Sequence, residues 1–278
     1  MTIRIPSGEE ADYTLHLPRI LCLHGGGTNA RIFRMQCRVL ERFLRSTFRF
    51  VYAEAPFAAQ PGSDVTSVYK DHGPFKAWLR CTAADPDRSA QEVVKKINLS
   101  IATAMYDDDM RGATGEWIAL LGFSQGAKVA ASILYAQQTI QQRLGERAAT
   151  RPRFRFAVLM AGRGPLVWLL PETSSGPGSI PMGLVDAASP SMLDSEPELP
   201  TDSTEHMLRL PTLHVHGLRD PGLSLHRRLL RSYCQSDSVS LVEWEGEHRV
   251  PLKTKDVTAV VDQIYALARD TGVLDSWC

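Results

Sequence analysis

One stretch constrains this chain more than any other: Leu120-Leu121-Gly122-Phe123-Ser124-Gln125-Gly126-Ala127. The apolar run Trp117–Leu121 reads as a buried strand and Gln125–Gln142 as a helix, so a Gly-x-Ser-x-Gly pentapeptide falls on the turn between them. A serine on so sharp a turn needs flanking residues that let backbone approach both strand and helix without a Cβ in the way. Gly122 and Gly126 meet that need, and Ala127, Ala130 and Ala131 let the helix press against the sheet. The helix N-terminus then directs partial positive charge at Ser124, where a developing anion is stabilised. The plain alternative is an ordinary turn whose serine hydroxyl caps the helix.

The rest of the chain repeats this alternation. Short apolar runs at Arg19–Leu23, Phe50–Glu54, Trp117–Leu121, Phe154–Met160, Thr212–His216 and Val239–Trp244 read as six strands. Amphipathic stretches near Arg31–Arg45, Ser89–Asp108, Gln125–Gln142, Leu223–Tyr233 and Thr254–Asp270 read as five helices. Strands alternating with helices predict an α/β fold with a mostly parallel sheet, and the whole of 1–278 is expected to form one such domain. Residues 55–80 and 162–210 break the pattern and read as long loops. The second carries seven prolines and reads as a lid or cap over a site or as a tolerated surface insertion.

A second glycine-rich turn follows the first strand: Leu23-His24-Gly25-Gly26-Gly27-Thr28. Its exposed N–H groups suit an oxyanion hole, with Gly26 or Gly27 supplying one donor and Gln125, next to the serine, the other. His24 reads as a residue that holds this loop by hydrogen bonds. Neither GxGxxG nor GxxxxGK[ST] is present, so phosphate cradling and nucleotide binding drop out.

A nucleophilic serine needs a base, and the base needs an acid to fix its tautomer. Asp220 lies in the turn after the strand Thr212–His216, and His248 lies in the loop Glu245–Pro251 after the last strand. Ser124, Asp220 and His248 fall in the chain order of α/β-hydrolases. His206 and His226 show no partner pattern, and Asp186, Asp194 and Asp202 belong to the proline-rich insertion. His214 and His216 form an HxH pair on one strand face, which a metal can use, but the pattern lacks third and fourth ligands. The reading is of a serine enzyme with no metal and no cofactor.

Composition narrows the partners. Lys+Arg and Asp+Glu each number 31, so the basic excess expected of a nucleic-acid or anionic-membrane binder is missing. No uncharged apolar run of about 18 residues is present. The five cysteines are scattered without a CxxC pair, which points to a reduced, soluble, cytoplasmic protein. Local charge is patterned nonetheless: Arg31, Arg34, Arg38, Arg42 and Arg45 stripe one helix face opposite Ile32, Val39, Leu40 and Phe43. That stripe reads as a solvated face or as a dock for an acidic protein. Phe57, Phe75, Trp78 and Trp168 in the two long loops are candidates to line an apolar acyl pocket.

The segments LCLHGGGTNARIFRMQ, FVYAEAPF, DHGPFKAWL, LLGFSQGAKVA, LPTLHVHGLRDPG and GEHRVP resemble the fungal serine hydrolase family of the α/β-hydrolase superfamily, which includes free-standing polyketide-releasing thioesterases. The resemblance spans most of the chain. It implies Ser124 as nucleophile, Asp220 as acid and His248 as base, and a topology in which the first strand lies between the second and third. It further implies a thioesterase that frees a polyketide acyl chain from the acyl carrier domain of a synthase. Alternatives are a general carboxylesterase and a non-catalytic ligand-binding protein on the same fold.

Overall fold

The computed structural model describes residues 12–82, 84–145, 152–170, 180–190, 198–201 and 203–275. The elements in chain order are β1 (Arg19–Leu23), α1 (Ala30–Gln36), α2 (Arg38–Leu44), β2 (Arg49–Ala53), β3 (Phe57–Ala58), α3 (Ser63–Tyr69) and β4 (Lys76–Ala77). They continue with α4 (Ala90–Met110), β5 (Trp117–Phe123), α5 (Gln125–Leu144), β6 (Phe156–Met160), β7 (Thr212–Gly217), α6 (Leu223–Tyr233), β8 (Val239–Trp244) and α7 (Thr254–Asp270).

Six strands form one sheet in the order β2-β1-β5-β6-β7-β8, every pair parallel. The first strand thus lies between the second and the third long one. Strand order reverses between β1 and β5, and the crevice at their carboxyl ends is where ligands enter open α/β sheets. β1, β5, β6 and β7 are buried along their whole length, as strands covered by helices on both faces must be.

Alternation along β1 feeds two cores. Leu21 and Leu23 join Trp117, Leu120 and the α5 residues Ala127, Val129, Ala130 and Leu134 on one face. Ile20 and Cys22 join Phe33, Leu40, Leu44 and the α7 residues Val257, Val260 and Ile264 on the other. Each fully buried side chain of this size contributes about 1.5–3 kcal/mol. At the end of the sheet away from the carboxyl-end crevice, buried Asp108 of α4 pairs with Arg19 and Arg49, so this acid of the Asp107-Asp108-Asp109 run is part of an internal ion pair.

Three expectations need correction. The helix expected over Arg31–Arg45 is two helices, broken at Cys37, whose φ of −82° and ψ of 0° leave the helical region. No proline or glycine marks this break. The Arg38 guanidinium donates to the Met35 carbonyl beside it. Phe43, expected inside, is exposed. The supposed loop 55–80 holds the short antiparallel pair β3–β4 and helix α3. Of the insertion 162–210, residues 171–179, 191–197 and 202 lie outside the described residues. The described parts pack down: Leu166, Val167, Leu184 and Leu208 are buried, Val167 bridges Val185, and Leu208 bridges Cys234 at the end of α6.

Candidate active site

Ser124 stands at the end of β5 with φ of 54° and ψ of −116°, a conformation that a non-glycine residue adopts only when its surroundings impose it. The surroundings are tight. A Cβ on Gly122 would lie 2.4 Å from the Gly126 carbonyl oxygen, and one on Gly126 would lie 2.1 Å from the Leu23 oxygen. The two glycines therefore let β1, β5 and α5 converge under the serine. Although Ser124 occupies the N-cap position of α5, its side chain makes no capping bond. Its Oγ lies instead 3.0 Å from His248 Nε2.

His248 Nδ1 lies 2.7 Å from Asp220 Oδ2. The loops carrying these two residues are tied together by the Arg219 amide donating to Gly246 and the Leu218 amide donating to Trp244. Phe123 packs beside the His248 ring at 5.0 Å. Asp220 is almost fully buried. Its Oδ1 accepts from the Gly222 amide at 2.7 Å, the turn-forming bond expected of an aspartate before a proline, while Oδ2 is left for the imidazoles. Burial by itself would raise this carboxyl, but hydrogen bonds from His226, His248 and Gly222 outweigh it and hold Asp220 well below the usual carboxylate range.

Gly25–Gly27 lie against the elbow. A Cβ on Gly26 would meet the Gln125 side-chain amide at 3.2 Å, and one on Gly25 would meet Phe123 at 3.1 Å. The Gly27 amide donates to the Lys76 carbonyl at 2.9 Å, so it serves the loop's own architecture. No hydrogen bond engages the Gly26 amide among the described residues, which leaves Gly26 rather than Gly27 as the donor available beside Gln125. The Gln125 side chain clamps the neighbouring segment. Its Oε1 accepts from the amides of Trp78 and Leu79 at 2.8 and 3.2 Å, and its Nε2 donates to the Leu79 carbonyl at 3.0 Å.

His24 is fully buried. Its Nε2 accepts from the Ala55 amide at 3.0 Å, which places the proton on Nδ1 for donation to Gly25 O at 2.8 Å. It thus holds the loop and lies outside the serine's hydrogen-bonded chain. Trp78, a candidate pocket residue, is fully enclosed in the core, and its indole donates to the His24 carbonyl at 2.8 Å. Phe57 is buried beneath the Arg88 guanidinium. Phe75 and Trp168 are half-buried.

The HxH pair does share a strand face, with ring centroids 5.8 Å apart. Both residues are buried. Burial, reinforced by neighbouring imidazoles, lowers His214 to about 3 and His216 to about 4. Neither belongs to a described group of three or more side chains at metal-ligand spacing.

The sequence reading set His226 aside, yet the structure brings it to the site: its Nε2 lies 2.9 Å from Asp220 Oδ2. The available signal was its position. His226, Leu229 and Tyr233 form the buried stripe of α6, and a histidine at a core position of an amphipathic helix calls for a polar partner.

Sheet order, strained elbow and the Ser…Asp…His chain order together define an α/β-hydrolase. The chain belongs to the serine hydrolase (FSH1) family, whose sequence model matches residues 14–260. The esterase pigG of Monascus ruber is 55% identical over 266 residues, covering 95% of this chain and 96% of that protein. The esterase claE of Penicillium crustosum is 53% identical over 261 residues, covering 94% and 96%. No helix among the described residues is long and apolar enough to cross a membrane.

Proposed function

We propose that this chain hydrolyses acyl esters and thioesters through Ser124, His248 and Asp220. The observation that carries the reading is the unbroken hydrogen-bonded series Ser124 Oγ, His248 Nε2, His248 Nδ1 and Asp220 Oδ2. His248 takes the Ser124 proton as Oγ attacks the acyl carbonyl carbon. The resulting oxyanion is held by the amides of Gln125 and Gly26, each such donor being worth roughly 3–4 kcal/mol. Collapse of the intermediate breaks the bond to the leaving group, which departs with the proton from His248. Water then attacks the acyl-enzyme and gives its proton to His248, which passes it to Ser124 Oγ as the acyl–serine bond breaks and the acid leaves.

The more specific reading is a thioesterase that frees a polyketide acyl chain from an acyl carrier domain. Family resemblance supports it, as does the chemistry of the leaving group: a thiol, with a pKa near 8.5, departs with less acid assistance than an alcohol. The arginine stripe adds support. Arg31, Arg34 and Arg38 are exposed on the helices that follow the oxyanion loop, suited to an acidic carrier. The names of the fungal relatives, both esterases, favour an oxygen ester as the second reading.

Fluorophosphonate labelling tests the serine chemistry: labelling should vanish in Ser124→Ala, and labelling that persists would overturn it. Single-turnover release from an acyl carrier protein, compared with the same acyl group on a small thiol and on an alcohol, tests the substrate. A carrier preference lost on Arg34→Glu and Arg38→Glu supports the thioesterase; equal rates on carrier and small thiol defeat the docking idea.

A further inference from the structure

We propose that His226 is a positioning residue for this hydrolase, donating Nε2–H to Asp220 Oδ2 and so sharing with His248 the oxygen that orients the His248 ring. The inference rests on the triad reading above. It starts from four contacts: His226 Nε2 to Asp220 Oδ2 at 2.9 Å, His226 Nδ1 to Gly162 O at 3.0 Å, His248 Nδ1 to Asp220 Oδ2 at 2.7 Å, and Gly222 N to Asp220 Oδ1 at 2.7 Å. The two imidazoles lie near-parallel, 27° apart with centroids 5.9 Å apart, and converge on one carboxylate oxygen.

Proton accounting fixes the role. A backbone carbonyl only accepts, so His226 Nδ1 carries a proton. The ionised Asp220 carboxylate also only accepts, so His226 Nε2 carries one too. With both contacts satisfied, both ring nitrogens of His226 act as donors, and the ring, with no exposure to solvent, is held between Gly162 and Asp220. The other titratable or charged groups around it are His216 at 5.7 Å, His214 behind His216, the His248 ring and Arg163, whose guanidinium lies against Gly222. A further acid, Glu243, acts on His216 and pairs with Arg227, so among the described residues Asp220 is the carboxylate that contacts His226.

Two consequences follow for the reaction. Three donors lock the Asp220 carboxylate against rotation, so the His248 ring keeps the orientation that faces Ser124. The negative charge on Oδ2 is also divided between two rings. Asp220 therefore stabilises protonated His248 less than an unshared carboxylate would, and the proton taken from Ser124 passes more readily to the leaving group.

The test uses the full chain and a p-nitrophenyl ester. His226→Leu removes both donors; His226→Gln keeps a donor directed at Asp220. In His226→Leu, kcat should fall about tenfold with KM within about twofold, and the acid limb of kcat/KM should move about one pH unit upward. His226→Gln should restore the limb and most of kcat. Independently of turnover, wild type should show two low-field imidazole N–H proton resonances from the Asp220 bonds, and His226→Leu only one. A kcat loss in His226→Leu without movement of the acid limb, or a single such resonance in wild type, would overturn the proposal. Hydrolysis that survives Ser124→Ala would instead sink the triad reading, while the resonance count still reports on the His226–Asp220 bond.

Discussion

The Ser124 hydroxyl faces His248 Nε2 at 3.0 Å and leaves the N-terminus of α5 without a side-chain cap. A serine at an N-cap ordinarily satisfies a helix amide, a bond worth about 1 kcal/mol. Here that bond is forgone and the backbone is held at positive φ, so the site is less stable than the same turn built for structure alone.

Ser124→Gly should therefore raise thermal stability while abolishing hydrolysis. Relief of the positive φ outweighs the entropy that glycine adds to the unfolded chain, for a net gain of about 1 kcal/mol, or roughly 2 °C in Tm. Calorimetry of Ser124→Gly beside Ser124→Ala checks this. A Ser124→Gly protein melting below Ser124→Ala would show that the elbow carries no strain.

Gln125→Ala should cost both stability and rate. It leaves the buried amides of Trp78 and Leu79 without their acceptor, each worth about 1–3 kcal/mol. The wall beside the Gly26 amide loosens with them, so kcat should fall about 10- to 100-fold. Denaturant unfolding and steady-state kinetics on one preparation measure the two effects; unchanged kcat would show that the clamp does not reach the oxyanion loop.

Stability should fall on acidification in two stages. His214 and His216 have folded values near 3 and 4, below the ordinary histidine value of about 6.5. Between those values the unfolded chain binds more protons, so stability is full above about pH 6.5 and is lost as pH falls, each histidine contributing up to about 1.4 kcal/mol per pH unit. Asp220 adds a further loss once pH drops below the unfolded aspartate value of about 3.9. Urea unfolding between pH 4 and 7 measures the first slope, and a flat profile would overturn it.

His216→Leu should flatten part of that slope without a large penalty at neutral pH. Both ring nitrogens of His216 are buried with no hydrogen-bond partner among the described residues, so an apolar replacement of similar length removes an unmet polar cost. The expected change at pH 7 is within about 1 kcal/mol of wild type. A loss above about 3 kcal/mol would indicate that the imidazole has a partner of its own.

Local pattern reached far into this protein. The six strands, the glycines of the elbow and the placement of Ser124, Asp220 and His248 at strand ends were legible in the sequence, while the sheet order was implied for the first three strands alone and only by family resemblance. Buried parallel strands must be continuously apolar, and a nucleophile turn excludes a Cβ on either side. Asp220 and His248 were readable only as candidates, because chain order sets where each loop starts but not where its side chain points.

Other features depended on contacts between distant segments. The break at Cys37 carries no proline or glycine, so periodicity ran through it. Trp78 looked like a loop aromatic until the Gln125 clamp and the His24 carbonyl drew it into the core. His226 gave no sign of its partner, since the helix turn that aims it and the Asp220 turn that receives it meet only when α6 docks on β7. The amino-acid sequence by itself determined the alternation of strands and helices and the chemistry available at their ends, because both follow from short-range sterics and apolar spacing. Only the tertiary structure decided whether the Gly26 or the Gly27 amide faces the elbow unpaired and which imidazoles share the Asp220 carboxylate, because side-chain direction and hydrogen-bond partners, six residues apart for His226 and 28 for His248, are chosen by packing.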